Sequence, residues 1–346
     1  MSDLARLTLD EVHGLAMEIF NAHGLSEDQA TAVADTVTAA ERDECKSHGL
    51  FRVPGYMASV KSGKVTPDAA PKVHDLAPGV AQVDANNGFA PLALKVGREP
   101  LASKAREQGI AVLGVVNCYH FAALWPETES LAEQGLVAFA CTSYMPCVAP
   151  AGGTKQLYGT NPIAFSWPRG EGKPPMVFDQ ATAASARGEI MIHERDGKSI
   201  SEGWAIDPDG NPTTDPTAGL AGAQLPFGGY KGAAFAMMVE LMAGALIGDM
   251  FSYEAGAADN GDGGPSKGGE FMFAIDPARC AGGGAGGDEA RAAQIAHSNA
   301  FFDKVMEQDG ARLPSDRRYE ARKRTPTEGI TIPHSLYDTL QELRAG

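Results

Sequence analysis

The chain has 346 residues, a length that suits one large domain or two to three small ones. Lys+Arg number 29 and Asp+Glu 44, a formal charge of −15, and such a surface repels nucleic acid and anionic membranes. Apolar residues at 43% and charged residues at 21% mark a folded chain, and 41 Gly with 22 Pro predict many turns and backbone-lined clefts. The five cysteines include no C-x-x-C, so neither a disulfide framework nor structural zinc is expected. The N-terminus is charged and lacks an apolar h-region, and the longest apolar stretch, Ala233–Gly248, is broken by Glu240 and too short to span a bilayer. These features predict a soluble, cytoplasmic protein with no metal, nucleic-acid or membrane partner.

In chain order, Thr8 with Glu11 forms a capping-box pattern ahead of Val12, Leu15, Ala16, Ile19 and Phe20 at helical spacing. Ser26 with Gln29 repeats the signal ahead of Val33, Val37 and Ala40, and this second helix runs out near Asp43. Val80–Asp84 reads as a strand, Phe89–Gln108 as a helix and Ile110–Val116 as a strand, giving one β-α-β unit. Strands near 136–142, 162–167 and 175–179 follow with loops rather than helices between them, which favours a mixed or antiparallel sheet. A long buried helix begins after Gly228-Gly229 and ends near Ile247. Asp259–Gly269 reads as a flexible loop, Phe271–Asp276 as a strand, and Asp288–Val305 as a helix packed beside the N-terminal pair. No internal repeat or clear interdomain linker is visible.

Gly282-x-Gly284-x-x-Gly287 matches the dinucleotide fingerprint, but no parallel strand ending in an acidic residue completes it, so it reads as a loop. Asp259–Asp262 lacks the alternating acidic positions of an EF-hand. Ser47-His48, followed by Arg52, is more informative. Histidine exchanges a proton near neutral pH, an adjacent hydroxyl orients it, and arginine grips a carboxylate through two parallel bonds. A surface histidine in a turn has the same spacing. The segment Tyr119–Pro126 follows a strand end, where ligands bind in many α/β proteins, although an aromatic core corner fits it equally. Gly159–Pro162, Asp179–Thr182 and Leu225–Gly232 are polar or glycine-rich turns, and the last opens a helix whose amides could meet an anion. Arg312, Arg317, Arg318, Arg322, Lys323 and Arg324 concentrate positive charge in an acidic chain, as an anionic ligand requires.

In order, the motifs SHG-x-x-R-x-P-G-Y (47–56), HFAALWP (120–126), GTNPIAF (159–165), FDQAT (178–182), LPFGGYKG (225–232) and RLPSDRRY (312–319) resemble the type-2 malate/L-lactate dehydrogenase family of NAD(P)H-dependent oxidoreductases. The resemblance runs from about Leu9 to Ile332, and HFAALWP and RLPSDRRY are most similar to the branch of Δ1-piperideine-2-carboxylate/Δ1-pyrroline-2-carboxylate reductases. It implies a mixed α/β fold and a homodimer. A non-Rossmann NADPH-binding domain with a mixed, largely antiparallel sheet would span 76–287, and a helical domain from both chain ends would span 1–75 and 288–346.

The same resemblance implies His48 as proton donor, Ser47 as its relay partner, and Glu189, where the branch has Asp, as an acidic relay residue. Arg52 and Thr160 match substrate-contacting positions. The cofactor-contacting segments match His120, Phe121, Ala122, Ala123 and Leu124; Asp179, Gln180 and Ala181; Tyr230 and Lys231; and Arg312, Leu313, Pro314, Ser315, Asp316, Arg317 and Arg318. The implied reaction is NADPH-dependent reduction of a cyclic 2-imino carboxylate to L-pipecolate or L-proline. The alternative within the family is an NAD(P)-dependent malate, L-lactate or ureidoglycolate-type 2-hydroxy acid dehydrogenase acting on a 2-keto acid. The alternative outside it is a non-redox lyase or binding protein. NADPH is favoured over NADH because its extra 2′-phosphate needs local positive charge, which Arg312, Arg317 and Arg318 offer.

Overall fold

A computed structural model describes residues 4–121, 123–282 and 287–346. β1 (Leu4–Leu7) leads into α1 (Leu9–Ala22), where the Thr8 hydroxyl accepts from the Glu11 N–H at 3.2 Å and the Glu11 carboxylate accepts from the Thr8 N–H at 2.7 Å. α2 (Glu27–Arg42) starts on the Ser26 hydroxyl and stops at Asp43. Two 3₁₀ turns, Lys46–His48 and Leu50–Arg52, then carry the Ser-His-Gly segment into α3 (Val53–Lys61). Ile19, Phe20, Val33, Val37, Leu50 and Tyr56 join these helices in one apolar core.

β2 (Lys72–Ala77) and β3 (Val80–Asp84) pair antiparallel, and α4 (Ala90–Gln108) crosses to β4 (Ile110–His120), parallel to β3. α5 (Trp125–Glu133) precedes β5 (Val137–Thr142), β6 (Ile163–Trp167) and β7 (Met176–Gln180), which run antiparallel in sequence. α6 (Arg187–Arg195) is followed by three short paired strands, β8 (Ala205–Ile206), β9 (Pro212–Thr213) and β10 (Ala223–Gln224), with α7 (Pro216–Ala221) against them. α8 (Tyr230–Val239) continues as a π-helical stretch, Glu240–Leu246, and α9 (Ser252–Ala258) follows. β11 (Ser266–Ile275) inserts antiparallel between β4 and β5. The large sheet therefore has the order β2-β3-β4-β11-β5-β6-β7, with β3–β4 its one parallel pair among the described residues. One face packs on α4 and α5 through Leu94, Leu101, Leu113 and Leu131; the other meets Val239 and Ala243 through Cys141, Ile163 and Phe271.

The chain closes with α10 (Pro277–Cys280), α11 (Asp288–Met306), α12 (Asp316–Glu328), β12 (Ile330–Pro333) and α13 (His334–Ala345). β12 pairs antiparallel with β1, and α13 packs on α1 and α3. Both chain ends thus build the helical core. Among the described residues no helix is long and apolar enough to cross a membrane.

Several expectations need correction. A short helix, α5, which the sequence reading does not include, lies between β4 and β5, with Pro126 at its first turn and Asp179 holding its start. The helix after Gly229 is not buried all round: Gly232, Ala233, Ala236, Val239, Glu240, Ala243 and Gly244 face inward, while Phe235, Met237, Leu241 and Leu246 are exposed. The segment after Asp259 is pinned, since Lys64 Nζ donates to Asp259 at 2.9 Å and to Asp262 at 2.6 Å. α11 packs not on the N-terminal pair but on the β6–β7 connection, where Asn299 Nδ2 donates to Arg169 O at 3.0 Å. A domain cut between residues 75 and 76 would pass through β2. Gly284, inside the false fingerprint, lies outside the described residues; α12, not a strand, follows the helix after it.

Candidate active site

Because α2 ends at Asp43, the two 3₁₀ turns swing their side chains towards the edge of the sheet. The first carries Ser47 and His48, the second Arg52. Ser47 Oγ lies 3.0 Å from His48 Nδ1, leaving Nε2 for a bound molecule. Arg52 Nε donates to Ser47 O at 2.7 Å, and the guanidinium lies 4.6 Å from the Phe121 ring centroid. Gly188 on α6 makes this approach feasible: a Cβ there would fall 2.7 Å from Arg52 Nη2 and 3.2 Å from Ser47 Cβ. Burial, then the positive charges of Arg52 and His120, lower the His48 pKa from 6.5 to about 3. The imidazole is therefore neutral in the free site.

Thr160 stands in the same cleft, on a turn held from behind. Asn161 adopts φ 41°, and its Nδ2 donates to Ala236 O at 3.1 Å and to Glu240 Oε1 at 2.7 Å. Gly159 has no side chain to clash; a Cβ would come within 2.6 Å of Asn161 Oδ1. Glu240 also accepts from the Ser252 N–H at 2.8 Å, so the π-helical stretch anchors the turn. The lone acidic residue in the apolar run 233–248 was the sequence trace of this anchor.

Ser47, His48, Arg52, Phe121 and Thr160 line a cleft of about 270 Å³, together with Asp179, Gln180, Ala181 and Arg318. Residues not singled out in the sequence also line it, among them Tyr144, Arg187 and Met191. Arg187 Nη2 reaches Leu220 O at 3.5 Å, while its buried Nη1 has no acceptor among the described residues.

Asp179, at the end of β7, has its pKa raised by burial, against the pull of Arg318. Its Oδ2 accepts from the Leu124 and Trp125 N–H groups at 2.9 and 3.0 Å, which fixes the start of α5. The Trp125 indole donates to Asp43 at 3.0 Å, and the Arg318 guanidinium lies 5.2 Å from the Trp125 ring. Asp179 and Arg318 also border an adjoining groove of about 490 Å³, lined by Arg312, Leu313, Pro314, Ser315 and Arg317. The basic cluster divides there. Arg322 is fully engaged, with Asp43 at 3.0 and 2.6 Å and Glu129 at 2.9 and 2.9 Å. Lys323 pairs with Glu320, and Arg324 with Glu44. Arg312 and Arg317 are exposed, with no ion-pair or hydrogen-bond partner among the described residues.

The structure does not bring every matched residue to the cleft. Glu189 follows Gly188 on α6, about 100° further round the helix, and its Oε1 lies 3.7 Å from His193 Nε2. It makes no hydrogen bond to Ser47 or His48 and is not among the described residues that line the cleft, so the structure does not bring the implied relay together. Tyr230 and Lys231 begin α8 on the surface, Tyr230 at 73% exposure, outside both cleft and groove. His120 is buried, with Nε2 3.1 Å from Glu270 Oε2. Ala123 and Leu124 are core residues, and Asp316 accepts from the Leu313 N–H at 2.8 Å. Ala122 lies outside the described residues.

Comparison with known proteins agrees with this architecture. The malate/L-lactate dehydrogenase family matches residues 7–341. The chain is 53% identical over 340 residues to a Δ1-pyrroline-2-carboxylate/Δ1-piperideine-2-carboxylate reductase of Pseudomonas aeruginosa, covering 98% of this chain and 99% of that one. It is 51% identical over 343 residues to a Δ1-pyrroline-2-carboxylate reductase of Ancylobacter novellus, covering 99% and 98%. The crystal structure of the Δ1-piperideine-2-carboxylate reductase from Pseudomonas syringae pv. tomato aligns with a TM-score of 0.89 at 42% identity, over 98% of this chain and 99% of that chain. The mixed sheet and its cleft are therefore those of an oxidoreductase that works with a nicotinamide cofactor. The chain belongs to the malate/L-lactate dehydrogenase family.

Proposed function

We propose that the protein reduces a cyclic 2-imino carboxylate, Δ1-piperideine-2-carboxylate or Δ1-pyrroline-2-carboxylate, with NADPH, giving L-pipecolate or L-proline. The observation that carries this reading is the cleft in which a hydroxyl-oriented imidazole and an arginine stand with Thr160. The names of the relatives supply the substrate class.

Arg52, steadied by Ser47 O and the Phe121 face, takes the substrate carboxylate. A carboxylate there cancels one of the charges that depress His48, so substrate binding itself moves the imidazole towards its protonated form. His48 then gives its proton to the imine nitrogen, with Ser47 holding Nδ1 and Thr160 orienting the ring. The nicotinamide supplies the hydride when bound. The free guanidiniums of Arg312 and Arg317, with Arg318 between groove and cleft, fit the negative charge of a 2′-phosphate. We place the cofactor on this mixed sheet rather than in a Rossmann crevice, with the helical part from both chain ends as a second domain.

The exposed stripe of Phe235, Met237, Leu241 and Leu246 supports a homodimer, because a face of that kind calls for a partner. It lies on the helix that Tyr230 and Lys231 begin, the matched positions that this chain's own cleft leaves unused. Initial rates with both cyclic imines, pyruvate and oxaloacetate, each with NADPH and NADH, test the reading. It expects the imine–NADPH pairs to lead by about tenfold or more, the effect of one charge-assisted contact. Preference for pyruvate or oxaloacetate would establish the 2-hydroxy acid alternative instead.

A further inference from the structure

We propose that Glu41 is the positioning residue of the catalytic loop, its carboxylate seated at the joint between the turns that carry His48 and Arg52. The inference rests on the roles proposed above for those two residues.

Glu41 lies on the last turn of α2 and is 2% exposed. Its Oε1 accepts from the Leu50 N–H at 2.8 Å. A Cβ built on Gly49 would fall 2.1 Å from Oε1, 2.6 Å from Cδ and 2.8 Å from Cγ of Glu41. The space that a side chain at Gly49 would need is thus taken by the Glu41 side chain. The third residue of the Ser-His-Gly motif therefore leaves the room that Glu41 occupies.

Gly49 is also the joint of the loop. Cys45 O accepts from the His48 N–H at 2.8 Å in the first turn, and Gly49 O accepts from the Arg52 N–H at 2.9 Å in the second. A carboxylate wedged there sets the angle between imidazole and guanidinium. The arrangement is costly as packing: Oε2 is buried with no hydrogen-bond partner, beside a groove bordered by Lys46 and Arg195. Burial, only partly offset by the Leu50 N–H and by Lys46, raises the Glu41 pKa to about 7. An apolar side chain would serve stability better, so geometry is the benefit that offsets this cost.

The test is a set of variants of the full-length enzyme. Glu41→Ala should lower kcat by about 10²-fold, the usual effect of a misplacement near 1 Å, with the NADPH Kd from fluorescence titration within about twofold. Glu41→Gln keeps a carbonyl for Leu50 and should recover most of the kcat. Gly49→Ala should lose activity in the wild-type background but add little to Glu41→Ala, because the atoms it meets are gone. The His48 ring resonances in NMR should shift in Glu41→Ala and return in Glu41→Gln, whichever substrate the enzyme reduces. This last readout separates failure here from failure of the proposed reaction. Wild-type kcat in Glu41→Ala, strictly additive losses in the double variant, or unmoved His48 resonances would overturn the proposal. Should Glu41→Ala fold poorly, an active Gly49→Ala enzyme would overturn it alone.

Discussion

His48 and Arg317 stand in two adjoining depressions and are held in opposite ways. Around His48 the key groups are braced: Ser47 on the imidazole, Ser47 O and Phe121 on Arg52, Glu240 behind the Thr160 turn. Around Arg317 the guanidiniums reach into solvent without partners. The first region is preorganised, and there a small displacement should cost rate. The second works through charge, tolerates movement and should respond to salt. One cleft thus joins a rigid chemical end to a compliant electrostatic one.

The largest effect should come from the rigid end. His48→Ala is expected to lower kcat by about 10²- to 10⁴-fold with NADPH affinity unchanged, checked by steady-state kinetics beside a binding titration. Near-wild-type kcat would remove His48 from the chemistry. Next comes the brace itself. Arg322→Met removes the ion-pair partner of the buried Glu129 carboxylate and leaves Asp43 to Arg42 and the Trp125 indole, and urea unfolding should show a loss of about 3–5 kcal/mol. A loss below about 1 kcal/mol, the scale of a surface pair, would show that the clamp is not structural.

Arg52→Lys keeps the charge but loses the planar fork, so KM for the carboxylate substrate should rise by about tenfold. An unchanged KM would assign the anchor elsewhere, with Arg187 the first candidate because its Nη1 lacks an acceptor. At the compliant end, Arg317→Ala should narrow the NADPH preference by up to about tenfold and flatten its salt dependence, leaving NADH efficiency nearly untouched. The smallest effect is a slope. The unfolded His48 takes up its proton near pH 6.5, the folded one only near 3, so this group's stabilisation is complete above 6.5 and is lost as pH falls towards 3. Denaturant midpoints across that window should fall less steeply in His48→Asn.

Much of the frame was legible in the sequence because its signals are local. The caps at Thr8 and Ser26 and the β-α-β unit from Val80 depend on residues a few positions apart. In the fold, Ser47, His48, Arg52, Thr160 and Arg318 from separate motifs line one cleft. What escaped depends on distant contacts or helical phase. Tyr144 sits in no motif, and Arg187 lies two positions before Glu189, the position that the resemblance singles out instead. Glu189 was matched by position in a chain where one step along α6 turns a side chain away. Arg322 and Arg317 look alike as letters; only a fold that brings Asp43 and Glu129 to one of them separates brace from ligand site.

The pairing of Asp43 with Arg322 has a consequence for how the enzyme is made. The two residues are 279 positions apart, and β1 waits for β12 in the same way. A nascent chain on the ribosome can form the seven-stranded sheet before α12 has emerged, but it cannot lock the end of α2, nor therefore the Ser47–Arg52 loop. Synthesis proceeds at about 5–20 residues per second, so the catalytic end closes only after α12 has followed β11 out of the ribosome, seconds after the sheet's last strand.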